Sequence, residues 1–214
     1  MRSVPDRYRT RTLASFIPVN DNTRRAKDAA ERVVRGEFRS MVLVGPPGAG
    51  KTHLAAAIWS AIHQSTYGAW QEARTRALAE FMPPPPFYCP EWCNVAELVS
   101  DLRGEMGSEL HSARDRSVRL RSYPALVVLD DLGREKASEW TGELIYVLVN
   151  ARYEAGLQTV ATSNLGPDEL TANGYWPAIS RLAEDGVLFR VDAPDHRLRG
   201  RAATARVLDQ RITG

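Results

Sequence analysis

The chain has 214 residues, 43 % hydrophobic and 25 % charged, and carries a net charge of +2. Those proportions suit an ordinary globular domain with a full core, and they exclude a disordered polycation. Two cysteines, Cys89 and Cys93, are too few for a disulfide framework.

No stretch approaches the apolar length that spans a bilayer, and Met1 to Arg7 lacks the apolar segment of a secretion signal. A cytoplasmic protein without membrane contact is therefore expected. Positive charge is uneven: Arg7, Arg9 and Arg11 crowd the start, and Arg114, Arg116, Arg119 and Arg121 crowd one middle segment. Each group is either a solvated face or a patch for nucleic acid or an acidic partner.

Residues 1–20, with Pro5 and Pro18, read as an extended basic arm. Apolar residues at helical spacing then predict a helix over 23–34, ended by Gly36. Met41 to Val44 is a short apolar run, read as a strand buried on both faces. A helix is expected from Lys51, continuing through 64–82 with a break near Gly68. Pro83 to Pro86 form a rigid spacer. A strand interrupted at Pro90 is expected over 87–93, and a helix over 95–106. Residues 107–122 are polar and Arg-rich. Further strands are expected at 125–129, 158–163 and 187–191, with helices at 138–154, 167–172 and 177–184. Strands alternating with helices predict a three-layer α/β fold around a parallel five-stranded sheet.

Gly45-Pro46-Pro47-Gly48-Ala49-Gly50-Lys51-Thr52 fits the P-loop pattern. Its glycines let backbone N–H groups close around phosphate, and the next helix turns its N-terminus to the same anion. Lys51 is expected to reach the β- and γ-phosphates of ATP, and Thr52 to give a hydroxyl to Mg²⁺. Leu126 to Leu129 then carry Asp130 and Asp131 to the C-terminal end of a buried strand, where ligands bind in open parallel sheets. Asp130 is expected to hold Mg²⁺ and Asp131 to orient or deprotonate the attacking water.

Gly45 to Leu54, Leu129-Asp-Asp-Leu-Gly133, Ala161-Thr-Ser-Asn-Leu165 and Ile179-Ser-Arg-Leu182 together resemble the AAA+ ATPases that load bacterial replicative helicases, and their relatives that assist transposases. The resemblance spans roughly residues 13–198. It implies a P-loop NTPase core over 21–200 without the C-terminal helical lid, followed by a tail at 201–214. The nucleotide cradle would run from Gly45 to His53. Asn164 matches sensor 1. Arg181 matches the arginine finger, given to a neighbouring subunit, so the implied form is a homo-oligomer with ATP at subunit interfaces. The implied partners are a replicative helicase and single-stranded DNA, the latter at the 95–106 helix and the Arg-rich run. Arg197 resembles the end of the family core, where an arginine approaches nucleotide.

Asp131 stands where many AAA+ proteins have Glu, which implies slow hydrolysis and a switch rather than a motor. Loaders commonly carry a helicase-binding domain ahead of the core, and the 1–20 arm or another chain would fill that role. Three rival readings stay open at this point: a transposase-assisting ATPase, a small-molecule kinase and an ATP-gated adaptor that does not hydrolyse. Cys89 and Cys93, with three residues between them, read as buried thiols or as half of a metal knuckle.

Overall fold

The computed structural model describes residues 4–105 and 112–196. A short 3₁₀ turn at Asp6–Tyr8 leads to α1 (Asp21–Val34), β1 (Ser40–Val44), α2 (Lys51–Ala79), β2 (Glu91–Asn94) and α3 (Val95–Gly104). There follow α4 (Ser112–Ser122), β3 (Leu126–Asp130), α5 (Glu139–Glu154), β4 (Gln158–Ser163), α6 (Pro167–Ala172), α7 (Trp176–Glu184) and β5 (Gly186–Arg190). The five strands form one sheet in the order β2-β3-β4-β1-β5. Every neighbouring pair is parallel.

Alternation along the strands divides the core into two layers. Met41, Leu43, Leu126 and Val128 pack with α1 and α2. Val42, Val44, Val127 and Leu129 face the other way, toward α3, α5 and α7. Helices on both faces explain why β1 and β3 are fully buried apolar runs. The cap of α1 is Asn20. Its side chain accepts from the Thr23 amide at 2.8 Å, and the Thr23 hydroxyl takes the Asn20 amide at 3.1 Å.

Two elements differ from the sequence expectation. The helix α2 does not break at Gly68 but runs unbroken to Ala79. A helical glycine costs only about 1 kcal/mol against alanine, and here a run of rings along one face offsets it. Trp59, His63, Tyr67 and Trp70 stack in succession, with Phe87 against three of them. The Trp70 indole donates to the Pro85 carbonyl at 2.8 Å, which lays the proline spacer back along the helix. The strand expected from Phe87 begins only at Glu91. Pro90 has no N–H for a ladder, so pairing starts after it.

The basic arm lies on the core from its first described residue. Val4 and Phe16 are 2 % and 4 % exposed, and Tyr8, Leu13 and Val19 pack against the same cluster. Among the four middle arginines, Arg116 turns inward. It donates to Glu91 at 3.0 Å and to the Trp92 carbonyl at 3.1 Å, which removes it from any basic surface. Neither cysteine is in a disulfide, and Cys93 is buried while Cys89 is half-buried. No helix among the described residues is long and apolar enough to cross a membrane.

Candidate nucleotide-binding site

β1 ends at Val44 and the chain turns sharply through Gly45 to Gly50 before α2 starts at Lys51. The turn needs glycine for two physical reasons. Gly45 has φ +139°, and a methyl group there would sit 2.2 Å from the Val191 carbonyl oxygen. Gly50 has φ +103°, and a methyl group there would lie 2.8 Å from the Phe16 ring. Such backbone positions are nearly closed to other residues.

Lys51 is 5 % exposed and its ammonium is fully engaged. It donates to the carbonyls of Gly45 at 2.7 Å and Pro46 at 2.8 Å, and to Oδ1 of Asn164 at 2.8 Å. The lysine thus ties the loop after β1 to the end of β4. Asp130, 4 % exposed, sits beside them at the end of β3. Its Oδ1 accepts from the Thr162 hydroxyl at 2.7 Å and the Thr52 hydroxyl at 3.3 Å. Burial pushes the Asp130 carboxyl above its ordinary value, the Thr162 hydroxyl opposes that, Asp131 adds to it, and Thr52 and Arg7 oppose it again. A bound divalent cation would reverse the balance and hold the group ionised.

Asp131 adopts φ +60°, a left-handed conformation rare outside glycine. Two contacts hold it there. Its amide donates to the Thr162 hydroxyl at 3.0 Å, and its carboxylate meets Arg134 at 3.2 Å. Thr162 therefore serves both aspartates at once.

These groups line one cavity of about 760 Å³. Pro47, Gly48, Gly50, Lys51, Thr52, His53, Asp130, Asp131 and Asn164, all expected from the sequence, line it together. Gly45 and Pro46 enter through their carbonyls on Lys51, while Ala49 is buried behind the loop. Arg181 does not line the cavity. It lies on α7, 3.2 Å from Glu184 and over the Tyr153 ring. Arg197 and the tail at 201–214 fall outside the described residues.

Several lining residues were not foreseen. Arg7, Tyr8, Arg11, Ser15, Phe16 and Ile17 come from the basic arm, and Arg134 and His196 from loops. His53 joins the arm to α2: its Nε2 lies 3.1 Å from the Ser15 hydroxyl and 3.3 Å from the Thr12 carbonyl. Burial pulls the His53 pKa below its ordinary value, which favours the neutral ring. The sequence did hold a signal for Arg134, three residues past Asp131. Thr162 becomes visible only once β3 and β4 are known to be neighbours, with Leu129 opposite Ala161.

The donor set suits a magnesium nucleotide. A loop closed to side chains precedes a helix N-terminus, a lysine sits at its centre, and a hydroxyl and a buried carboxylate converge beside it. The AAA ATPase domain family matches residues 21–160. The chain belongs to that family. A protein named as an ATP-binding protein in an insertion sequence of Mycobacterium tuberculosis is 26 % identical to this AAA ATPase over 171 residues, covering 76 % of this chain and 57 % of its own length. One named for insertion sequence IS21 of Pseudomonas aeruginosa is 30 % identical over 128 residues, covering 59 % and 38 %. The chain spans about half the length of the curated relatives it matches.

Among solved structures, the DnaC helicase loader superposes with a TM-score of 0.68 at 24 % identity, covering 88 % of this AAA ATPase and all of that chain. The replication initiator DnaA bound to AMPPCP and single-stranded DNA superposes at 0.62 and 18 % identity, covering 89 % and 51 %. At such identities the likeness establishes the fold, a P-loop NTPase of the AAA+ type with a parallel five-stranded sheet. That fold implies nucleotide binding.

Proposed function

We propose that the chain is an ATP-hydrolysing AAA+ switch that delivers or remodels a replicative helicase on single-stranded DNA in the cytoplasm. The observation that carries the switch is the Lys51 bridge between the phosphate loop and Asn164. A triphosphate competes for the same ammonium. When Lys51 turns to phosphate, the Asn164 amide is released to meet the terminal phosphate, and β4 registers which nucleotide is present. Thr52 and Asp130 would hold Mg²⁺, which would supply charge neutralisation at the phosphates. Asp131 positions the attacking water and takes its proton. Its contact with Arg134 occupies one carboxylate oxygen and leaves less of the group free to meet that water. Together with the short Asp side chain, that favours slow turnover.

Arg181 completes the site of a neighbouring subunit in a head-to-tail homo-oligomer. Its place outside its own subunit's cavity supports this. Mixing tests it. Asp131→Asn and Arg181→Ala are each expected to lower hydrolysis by at least about tenfold. Mixed together, they leave about one interface in four with both groups intact, and activity should return to a measurable level. A mixture as inactive as its parents would refute the trans assignment.

The helicase partner is supported by the superposition on a helicase loader along most of the chain. A second reading, a transposase as partner, is favoured by the two relatives named for insertion sequences. Affinity capture from host lysate with Asp131→Asn and ATP distinguishes them. A hexameric helicase supports the first reading and a transposase the second. Metabolic enzymes alone would overturn both.

A further inference from the structure

The segment Val4–Phe16 has no role in the reading above, yet it crosses the mouth of the nucleotide cavity. It is pinned at both ends. At one end Val4 is buried and the Tyr8 ring stacks on Trp92 of β2 with centroids 6.5 Å apart. At the other end Phe16 is buried against Gly50, and the Thr12 carbonyl and Ser15 hydroxyl meet His53. Turns at Pro5–Tyr8 and Tyr8–Arg11 bend the chain between those anchors.

Two arginines of the segment line the cavity. The Arg7 guanidinium lies over the Tyr8 ring at 4.7 Å. Tyr8 stacks on β2, whose residue Asn94 pairs with Asp130. Arg7 therefore stands at the Asp130 end. Arg11 stands at the His53 end. Among the described residues neither makes an ion pair with a carboxylate. With Lys51 and Arg134 they give the cavity four fixed cations against the two carboxylates of Asp130 and Asp131. That surplus is what a polyphosphate requires, and a planar guanidinium matches phosphate with two parallel donors.

We propose that the segment is a working wall of the nucleotide site, in which Arg7 contacts the terminal phosphate of the triphosphate from within the same subunit and Arg11 contacts the phosphates that ATP and ADP share. This deepens the nucleotide-switch reading and rests on it. Arg7 is then a specificity-determining residue that separates triphosphate from diphosphate. Loss of the terminal phosphate removes the Arg7 contact and loosens the arm between its two anchors, so the arm reports nucleotide state on the outer surface.

The test is titration with Mg²⁺-AMPPCP and Mg²⁺-ADP, followed by calorimetry, on the wild type, Arg7→Gln, Arg7→Lys, Arg11→Gln and Lys51→Ala. Arg7→Gln is expected to weaken AMPPCP by at least about tenfold and ADP by less than about threefold, since one charge-assisted contact is lost from one ligand only. Arg7→Lys should restore part of the difference, and Arg11→Gln should weaken both ligands alike. Unchanged ADP affinity shows that the Arg7 variant is folded. A second readout needs no affinity: trypsin should cut after Arg7, Arg9 and Arg11 more slowly with AMPPCP than with ADP. If Arg7→Gln changes neither ligand, or both equally, while Lys51→Ala loses both, the proposal fails and the nucleotide site stands. If the wild type binds neither ligand, both fall.

Discussion

Lys51→Ala should bind ATP at least about a hundredfold more weakly than the wild type, because it loses the one buried cation at the centre of the phosphate loop. The structure adds a second component. Lys51 also holds the Gly45 and Pro46 carbonyls and the Asn164 amide in one cluster. Removing it leaves those acceptors facing each other, so the loop loses shape as well as charge. Lys51→Met separates the two effects, since it keeps much of the aliphatic bulk and none of the donors. Calorimetric titration should place both variants far below the wild type, with Lys51→Met no better than Lys51→Ala. An Lys51→Met variant that binds within about threefold of the wild type would show that the charge is dispensable.

Arg152→Leu should cost at least about 4 kcal/mol of folding stability, judged from about 1–3 kcal/mol for each buried acceptor left without a donor. Arg152 is fully buried on α5. It donates to the Thr159 hydroxyl at 3.0 Å and to the carbonyls of Leu120 at 2.7 Å, Pro124 at 3.1 Å and Gln158 at 2.6 Å. One guanidinium thus joins the end of α4, the entry to β3 and the start of β4. Burial pulls its pKa down to about 9, so it stays charged at neutral pH. Leucine fills the space but satisfies none of those groups. Lysine keeps the charge but lacks the planar fork that reaches all of them, so Arg152→Lys should fall between. Urea denaturation measures the loss, which is large against a typical total of about 5–15 kcal/mol. A shift below about 1 kcal/mol would show that the acceptors find other donors.

Where chemistry is local in sequence, it was legible. The phosphate loop needs glycines, a lysine and a threonine within eight positions, and Asp130 needs only an apolar strand before it. The parallel sheet followed from short apolar runs alternating with helices. Asn164 and Arg181 were reached through resemblance, and Lys51 meeting Asn164 at 2.8 Å places the first of them at the phosphate loop. What stayed hidden depends on partners far along the chain. Phe16 packs against Gly50, and Arg116 finds Glu91, with nothing periodic to announce either. The arm reads as an extended basic segment because six of its 20 residues are Arg or Thr, and only tertiary contact turns it onto the core. Gly68 suggested a break that ring stacking along α2 overrides.

The unbroken course of α2 has a mechanical consequence. Its foot, from Lys51 to Ile62, is clamped in the core beside the phosphate loop, while Leu78 at its far end and Phe81 and Met82 just beyond are 51 %, 98 % and 58 % exposed. At a rise of about 1.5 Å per residue the rod is about 43 Å long. With no hinge along it to absorb rotation, a tilt of about 5° at the foot swings the tip by about 4 Å. A displacement too small to notice at the phosphates is thereby magnified at the greasy end of the lever.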